Sequence, residues 1–242
     1  MTTPDSANLV YDVAHDLQTP LTALKAQLYL ITEAQQTGSK LETCHEIIDS
    51  MSSMVSDLLA YARSGESFDE KHRKHFDLSE RINEALEYVG TVARSCKVNI
   101  KHSIEPNLII DGVPEKIDEA FLNLVSNSMK YLRSSGRRNV VITLSKQKKE
   151  CILCIEDTGI GIPADELPHV FTRFYRTRPA TQHASGSGLG LAITKKIVEL
   201  HDGTVGIEST EGVGTKVEIR IPLVSKRSDP HDEVRSQNKD AA

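Results

Sequence analysis

The sequence predicts an α+β protein in which an antiparallel helical hairpin precedes an α/β sandwich, a mixed sheet with helices on one face. Over residues 10–62, apolar residues recur in alternating steps of four and three, the heptad spacing of long packed helices. From residue 76 onward, short apolar runs alternate with helical patterns and glycine-rich turns, as in layered α+β domains. The predicted domains are 1–64 and 76–224, with a linker of 65–75 between them and a disordered tail of 225–242.

The N-terminal domain is predicted to be a hairpin that pairs with a second copy of itself. The seam of its first helix consists of Val10, Ala14, Leu17, Leu21, Leu24, Leu28 and Ile31. After a turn at 37–39, the seam of the second consists of Cys44, Ile48, Met51, Val55, Leu58 and Ala62. Further apolar positions widen both stripes, so one hairpin cannot cover its own apolar surface. We therefore expect a homodimer in which two hairpins form a four-helix bundle.

The second domain is predicted to begin with a helix, because Asp77-Leu-Ser-Glu80 carries capping residues ahead of periodic apolar positions. Pro114 is expected to open a second helix that reaches about Leu132, and a third helix is expected over 189–200. The predicted buried face of the second helix consists of Leu122, Val125, Met129 and Leu132. Strands are predicted at 98–104, 108–110, 140–145, 151–156, 204–209 and 215–222.

Composition argues against two kinds of partner. The chain has 242 residues, 38% of them hydrophobic, and a formal net charge of -5 with basic residues scattered among acidic ones. Such a chain has no overall attraction for nucleic acid phosphates, so nucleic acid is not an expected partner. No apolar run approaches the roughly 20 residues needed to cross a bilayer, and no signal peptide pattern is present. We therefore expect a soluble, cytoplasmic chain.

The four cysteines are too few and too scattered for a disulfide framework; they are Cys44, Cys96, Cys151 and Cys154. Cys151 and Cys154 form a C-x-x-C pattern inside an apolar run, where a strand would point positions three apart to opposite faces. A chelating or redox pair needs a turn at this point. We interpret both residues as part of a core strand.

Two asparagines stand one turn apart on the predicted helix 114–132. Asn123 and Asn127, together with Lys130, occupy a face beside the buried stripe. Asparagine is a poor helix-interior residue, and its carbonyl oxygen is a hard, neutral ligand suited to Mg²⁺ beside an anionic polyphosphate. Taken alone, this helix favours ordinary surface or interhelical polar residues. The glycine-rich segments that follow shift the balance towards a nucleotide site.

Two glycine clusters follow this helix. In the first, Asp157 ends a predicted buried strand and 158–161 lets the backbone turn sharply, which leaves a carboxylate able to accept the exocyclic amine of adenine. The second, 186–190, leads into a helix whose N–H groups suit phosphate, although such a loop alone is a weak signal.

The segment between the glycine clusters is predicted to be a mobile lid over bound nucleotide, because 177–185 has little apolar content. Arg176 and Arg178 are within reach of the terminal phosphates in this interpretation. Without the neighbouring motifs, both would be interpreted as solvated surface charges.

Together these motifs resemble the ATP-binding domain of sensor histidine kinases, and the resemblance covers roughly residues 10–222. Its boxes are matched in order: the H box by 15–20, the N box by 123–131, the first glycine box by 157–161, the F box by 171–176, the second glycine box by 186–190, and a further glycine motif by 212–215. Several motifs in the right order are highly specific. The resemblance implies the left-handed crossover fold shared by histidine kinases and gyrase-type ATPases.

The resemblance also implies ATP and Mg²⁺ as cofactors and suggests the residues that hold them. Asn127 would be the principal Mg²⁺ ligand, with Asn123 as a supporting contact, and Asp157 would read adenine. Lys130 and Arg176 would contact phosphate. The other nucleotide-binding positions would be Tyr131, Gly159, Gly161, Gly186, Gly188, Leu189, Gly190 and Thr215. Ser128 stands where the family usually has a small apolar residue.

His15 is the predicted phosphoacceptor. Ala14 lies in the heptad seam, which places His15, Asp16 and Thr19 toward solvent. An exposed histidine has an ordinary pKa near 6.5, so about three quarters of it is neutral and nucleophilic at pH 7. Asp16 is therefore interpreted as an acceptor that orients one ring nitrogen, and Pro20 as a local break in the helix.

The resemblance further implies a phosphatase reaction, in which Thr19 would orient the attacking water. A hydroxyl that bonds back within its own helix before Pro20 explains Thr19 nearly as well. Gln18 occupies a position where the family usually has arginine, so one ion pair at the bundle or partner surface is missing.

The expected function is ATP-dependent autophosphorylation of His15, followed by transfer to an aspartate on the receiver domain of a response regulator. The alternatives are a gyrase-like ATPase or chaperone, and a nucleotide-regulated scaffold without kinase activity. The chain starts about a dozen residues before His15, which favours the cytoplasmic portion of a membrane-anchored receptor with its N-terminal sensor region missing. A soluble kinase without a sensor would begin in the same way.

Overall fold

The computed structural model describes residues 72–133, 136, 138–183 and 186–224, together with Thr22, Leu24, Ala26, Cys44 and Ile48. These five N-terminal residues are helical, in agreement with the predicted hairpin. The rest of the hairpin, the linker up to residue 71 and the predicted disordered tail lie outside the described residues.

The elements from residue 72 onward alternate between strands and helices. They are β1 (Lys74–Asp77), α1 (Leu78–Ser95), β2 (Asn99–Ile104), β3 (Ile109–Gly112), α2 (Pro114–Lys130), β4 (Asn139–Gln147), β5 (Glu150–Asp157), a 3₁₀ turn (Leu167–His169), α3 (Arg178–His183), α4 (Gly190–Leu200), β6 (Thr204–Thr210) and β7 (Gly214–Pro222). The predicted strands and long helices are confirmed to within a few residues.

A five-stranded mixed sheet forms one layer of the domain, in the order β2-β4-β5-β7-β6. Strand β2 runs parallel to β4, and the other neighbouring pairs are antiparallel. Strands β1 and β3 form a separate antiparallel pair. The buried residues of α1, α2 and α4 share one core with the sheet. The predicted α+β class is therefore confirmed.

The domain begins slightly earlier than the sequence predicts, because β1 starts at Lys74, inside the expected linker. Pairing with β3 orders β1, and Arg73, which directly precedes β1, anchors its start. The Arg73 guanidinium donates to the carboxylates of Asp111 at 3.1 Å and Asp202 at 3.0 Å. These long-range contacts have no local sequence signal.

Helix α1 begins where its capping residue predicts. Asp77 has an extended backbone, and its carboxylate accepts the N–H of Ser79 at 2.8 Å. The buried residues of α1 recur at helical spacing and are Leu78, Ser79, Ile82, Leu86, Val89 and Ala93.

The buried face of α2 corrects one expectation. The helix opens at Pro114, as predicted, but Leu122 is 37% exposed instead of buried. The buried residues of its central and final turns are Ile117, Ala120, Phe121, Leu124, Val125 and Ser128. Apolar residues at 121, 122, 124 and 125 permit two overlapping stripes, and packing against the sheet and α4 selects the one that includes Ser128.

The C-x-x-C pattern lies in β5, as predicted. Cys151 is buried, and Cys154, three positions along the strand, is half-buried on the other face. Burial raises the pKa of the Cys151 thiol to about 12, and its Sγ donates to the carbonyl of Ile221 at 3.4 Å. These two cysteines therefore pack in the sheet and do not form a reactive pair.

A buried histidine connects the end of α4 to the start of α2. His201 follows α4 and is 1% exposed. Its Nε2 accepts the N–H of Val113 at 3.0 Å, so its Nδ1 carries the proton and donates to the carbonyl of Ile197 at 2.7 Å. Burial lowers the pKa of His201, which favours this neutral form. The C-terminus of α4 is thereby fixed to the start of α2.

We expect Gly112→Ala to destabilise the domain by about 2 kcal/mol or more, because overpacking a filled core has costs of this size. A Cβ at Gly112 would overlap the His201 ring, which cannot move without losing both of its hydrogen bonds. Urea unfolding of the chain measures the difference. Gly206→Ala is the matched control, since a Cβ there meets nothing within 4 Å. Equal costs for the two variants would contradict this role of His201.

Candidate nucleotide-binding site

A cleft of about 210 Å³ lies between α2, the turn after β5 and the segments on either side of α3. The following residues singled out in the sequence line it: Asn123, Asn127, Lys130, Tyr131, Asp157, Gly161, Arg176, Gly186, Gly188, Gly190 and Thr215. They come from five separate stretches of the chain. The tertiary structure therefore brings the N box, both glycine clusters and the F box to one cavity.

Two of the proposed nucleotide-binding residues lie behind the cleft. Leu189 is fully buried in the hydrophobic core, so its side chain does not face a ligand. Gly159 donates its N–H to Oδ1 of Asp157 at 2.8 Å, and a Cβ there would lie 2.6 Å from the Tyr131 carbonyl oxygen. Both residues shape the cleft from behind.

Asp157 is a buried carboxylate at the end of β5, and it is only 8% exposed. Its Oδ1 accepts the N–H of Gly159 at 2.8 Å and the N–H of Thr215 at 3.3 Å, and Ser128 also donates to the carboxylate. Burial raises the pKa of Asp157 to about 6, although these hydrogen bonds act in the opposite direction. The carboxylate is mostly ionised at pH 7 and can accept a hydrogen bond from a ligand amine.

The glycine turns let the backbone approach itself around this carboxylate. Gly161 has a φ of +68° and Gly188 a φ of +75°, a region that L side chains rarely adopt. A Cβ on Gly161 would overlap the carbonyl of Thr210, and one on Gly188 would lie 2.7 Å from the carbonyl carbon of Phe174. Glycine is therefore required at both positions by conformation and by space.

Asn127 and Lys130 face the second glycine cluster. A Cβ at Gly190 would lie 3.5 Å from Nδ2 of Asn127, and one at Gly186 would lie 2.7 Å from Nζ of Lys130. Gly190 begins α4, whose first turn has N–H groups without partners inside the helix. An anion in this part of the cleft would meet an ammonium group and a helix N-terminus together.

Arg176 connects the lid segment to α2. One of its Nη atoms donates to the carbonyl of Ala180 at 2.9 Å, and its guanidinium also bonds to the Tyr131 side chain. The lid contains a short helix, α3, that the sequence analysis missed. Thr177 caps it, since its Oγ1 accepts the N–H of Ala180 at 3.3 Å, and Pro179 lies in its first turn. Thr177 followed by Pro179 is a helix-start signal that could have revealed α3.

Arg178 corrects the expectation of a second phosphate contact. Its guanidinium donates to Oε1 of Glu166 at 2.8 Å and to Asp165 at 2.9 Å, and it does not line the cleft. Glu166, which the sequence analysis missed, is 5% exposed and also accepts the Tyr175 hydroxyl at 3.2 Å. The bond from Arg178 lowers the pKa of Glu166. This buried carboxylate anchors both sides of the lid base.

The predicted residues of the phosphoacceptor helix cannot be placed in this site. His15, Asp16, Thr19 and Gln18 lie outside the described residues. Their roles stay predictions.

Two family models match the chain. Residues 6–67 match the His Kinase A (phospho-acceptor) domain, and residues 112–225 match the Histidine kinase-, DNA gyrase B-, and HSP90-like ATPase. His15 lies in the first match, and every residue that lines the cleft lies in the second. The chain therefore belongs to the sensor histidine kinases.

Individual relatives agree with this assignment. Sensor protein kinase WalK of Staphylococcus epidermidis is 30% identical over 219 residues, which cover 88% of this chain and 36% of that protein. The mycobacterial sensor histidine kinase MprB is 30% identical over 62% of this chain and 98% of its own, with a TM-score of 0.55. The histidine kinase ThkA, in complex with response regulator protein TrrA, shares the fold at 19% identity, with a TM-score of 0.69 over 91% of this chain and 62% of its own.

The chain thus spans about a third of the length of the WalK relative from Staphylococcus epidermidis, which is 36% covered. Within the part of the chain that the structure describes, no helix is both long and apolar enough to cross a membrane.

We expect Asp157→Asn to stabilise the folded chain at pH 8. The folded pKa of Asp157, about 6, lies above the ordinary value of 3.8, so ionisation disfavours the fold as pH rises through 6. An amide oxygen can still accept the backbone N–H groups without the buried charge. The gain should reach about 1 to 3 kcal/mol above pH 7 and vanish near pH 4. Thermal unfolding at several pH values measures it, with the exposed Glu87→Gln as control. A variant that is destabilised by the same amount at pH 4 and at pH 8 would refute this prediction.

Glu166→Gln should loosen the lid. The variant keeps its shape but loses the charge that holds the Arg178 side chain and backbone N–H, at 2.8 and 3.0 Å. Hydrogen exchange of the amides of Ala180 and Thr181 should be about three to ten times faster. Asp165→Asn removes the exposed partner of the same arginine and should change exchange little, because exposed ion pairs contribute little. Similar exchange in both variants would show that Glu166 is not the anchor.

Proposed function

We propose that this chain is an ATP-dependent protein-histidine kinase that autophosphorylates on His15 and then passes the phosphoryl group to an aspartate of a response regulator. One observation carries the proposal. A single cleft unites a buried carboxylate suited to adenine with an ammonium group and a helix N-terminus suited to phosphate. The match of residues 6–67 to a phospho-acceptor domain adds the acceptor.

The cleft is suited to holding a nucleotide in one orientation, with the base at Asp157 and the phosphates at the second glycine cluster. Asp157, which its backbone partners keep in place, would accept the 6-amino group of adenine. Lys130 and the first turn of α4 would hold the phosphates at the second glycine cluster. Arg176 bonds to both the lid helix and Tyr131, so it would keep the lid closed over the bound triphosphate and exclude water.

The donor set of the cleft fits Mg²⁺. Asn127 is half-buried on α2, lines the cleft and lies against the glycine loop. Its amide oxygen is a neutral, hard ligand that would complement the phosphate oxygens, while Asn123 one turn earlier would support it. When bound, the ion would neutralise charge that develops on the transferred phosphoryl group.

The chemistry at the acceptor is a direct phosphoryl transfer. A neutral ring nitrogen of His15 would form a bond to the γ-phosphorus as the bond to the β-phosphate oxygen breaks and ADP leaves. Asp16 would accept a hydrogen bond from the other ring nitrogen and stabilise the positive charge on the ring. The phosphoryl group would then pass from nitrogen to a carboxylate oxygen of the receiver domain, which regenerates the neutral histidine.

The proposed assembly is a homodimer in the cytoplasm that docks a response regulator on its helical bundle. The heptad stripes support the dimer, and the complex of ThkA with response regulator protein TrrA supports the partner class. Thr19 is the candidate for orienting water in a phosphatase reaction, and Gln18 leaves that surface without the usual arginine.

Incubation of the chain with γ-labelled ATP and Mg²⁺ tests the proposal. We expect an acid-labile, alkali-stable phosphoprotein that disappears in His15→Ala, because a phosphoramidate is hydrolysed in acid. His102→Ala, which removes an exposed histidine from β2, should label normally. Asn127→Ala should reduce labelling to background through loss of Mg²⁺-ATP, whereas Asn83→Ala on the exposed face of α1 should not.

Each rival function gives a different result in this experiment. Sustained phosphate release without stable labelling would indicate a gyrase-like ATPase or chaperone. A nucleotide-regulated scaffold would bind Mg²⁺-ATP in an Asn127-dependent manner and never become labelled. Full labelling of His15→Ala would defeat the proposed acceptor.

A further inference from the structure

A serine behind the cleft fixes the direction of the hydrogen bonds around Thr215. Ser209 on β6 lies 2.8 Å from the carbonyl oxygen of Gly214, which can only accept, so the Ser209 hydroxyl donates there. Its oxygen accepts the N–H of Ile162 at 2.9 Å. The remaining contact, 2.9 Å from the Thr215 hydroxyl, must therefore be a donation from Thr215 to Ser209.

This arrangement determines what Thr215 offers to a ligand. Thr215 lines the cleft, whereas Ser209 does not. Because the single hydroxyl proton of Thr215 is directed to Ser209, only its oxygen lone pairs face the cleft. Its backbone N–H is also engaged, since it donates to Asp157 at 3.3 Å.

Ser128, on the α2 side of the cleft, acts in the same sense. It is 5% exposed, lies on α2 and lines the cleft together with Asp157. Its hydroxyl donates to the Asp157 carboxylate, so its oxygen also retains only lone pairs for a ligand. A small apolar residue at this position, the usual choice in the family, would make no such bond.

We propose that Ser128 and Ser209 are positioning residues that keep the base end of the cleft a set of hydrogen-bond acceptors and thereby select 6-amino over 6-oxo purines. The inference rests on the proposed ATP site. Asp157, Ser128 and Thr215 together present acceptors, which suit the two N–H groups of an adenine amine. Hypoxanthine places a carbonyl oxygen at the same point. That oxygen cannot donate a hydrogen bond, so it faces the acceptor oxygens of the protein without a proton between them.

The proposal makes base selection dependent on pH through the charge of Asp157. Once protonated, that carboxyl can donate to a 6-oxo group. The other charged or titratable side chains that line the cleft are Lys130 at the end of α2, Tyr131 directly after it, and Tyr175 and Arg176 beside the lid. Glu156 precedes Asp157 on β5. No histidine is among the described lining residues, so Asp157 is the protein group there that changes charge between pH 5 and 8.

The test is equilibrium binding of ATP and inosine triphosphate to the full chain with Mg²⁺ from pH 5.5 to 8.5. The two nucleotides carry the same triphosphate, so phosphate titration cancels in the ratio of their affinities. The ratio should fall as pH drops through about 6. In Ser128→Ala, loss of the donated bond should move this midpoint up by about one pH unit, which lowers the ratio at pH 6 about fivefold and leaves it nearly unchanged at pH 8.5.

Ser209→Ala should act without this pH dependence. Freeing the Thr215 hydroxyl to donate into the cleft should raise the affinity for inosine triphosphate about fivefold, the size of one neutral hydrogen bond. Ser209→Thr keeps the hydroxyl on an edge strand that tolerates threonine, and it should restore selection. Ser79→Ala is the matched control, because Ser79 is another buried serine, bonded to the Glu105 carbonyl at 2.6 Å away from the cleft.

The outcomes separate this inference from the function on which it rests. Failure of the unchanged chain to bind ATP would defeat the proposed function. Normal ATP binding with a selection ratio that is unaltered in Ser128→Ala at every pH, or lowered equally at every pH and in Ser79→Ala, would overturn only the positioning role. Alanine is a better helix former than serine, so Ser128→Ala should fold.

Discussion

The buried carboxylate of Asp157 is the constraint on which the geometry of the cleft depends. Strand β5 places it at the cleft, β7 supplies the Thr215 N–H directly across the ladder, and the following turn supplies the Gly159 N–H. These bonds stabilise a charge that burial opposes, and the raised pKa reflects the balance between them. A register slip of one residue between β5 and β7 would turn the carboxylate to the other face of the sheet. The pairing of the central strands and the proposed recognition of adenine are therefore one requirement.

The elements around this carboxylate are already ordered before a ligand binds, which lowers the entropic cost of binding. His201 fixes the end of α4 to the start of α2, so the two helices that frame the proposed phosphate end keep their separation without a ligand. Glu166 holds the lid base through Arg178 and Tyr175 in the same way. Ordering these groups before a nucleotide arrives leaves less conformational entropy to be lost on binding. The cleft is thus a preorganised site with a lid that is anchored at its base.

Local signals in the sequence predicted the elements well and the side-chain environments less well. Asp77 and Pro114 mark helix starts through local hydrogen bonding and a preset backbone angle, so both positions were correct. Leu122 was misplaced because neighbouring apolar residues allow two helical stripes, and only packing against the sheet and α4 selects between them. Arg178 was assigned to phosphate because its charge is visible in sequence, whereas its partner Glu166 lies twelve residues earlier. Helix α3 was missed although Thr177 and Pro179 signal it.

The sequence by itself determined the family, the order of the long helices and of the strands of the five-stranded sheet, and the residue types at the nucleotide site, because capping, periodicity and glycine turns are local properties of the chain. The tertiary structure decided which of those residues share the cleft, and it placed Leu189 in the core and Arg178 against Glu166. It alone assigned the donor and acceptor roles of Ser128, Ser209 and Thr215. Hydrogen-bond direction depends on partners that are distant along the chain, and only the folded sheet brings those partners within bonding distance.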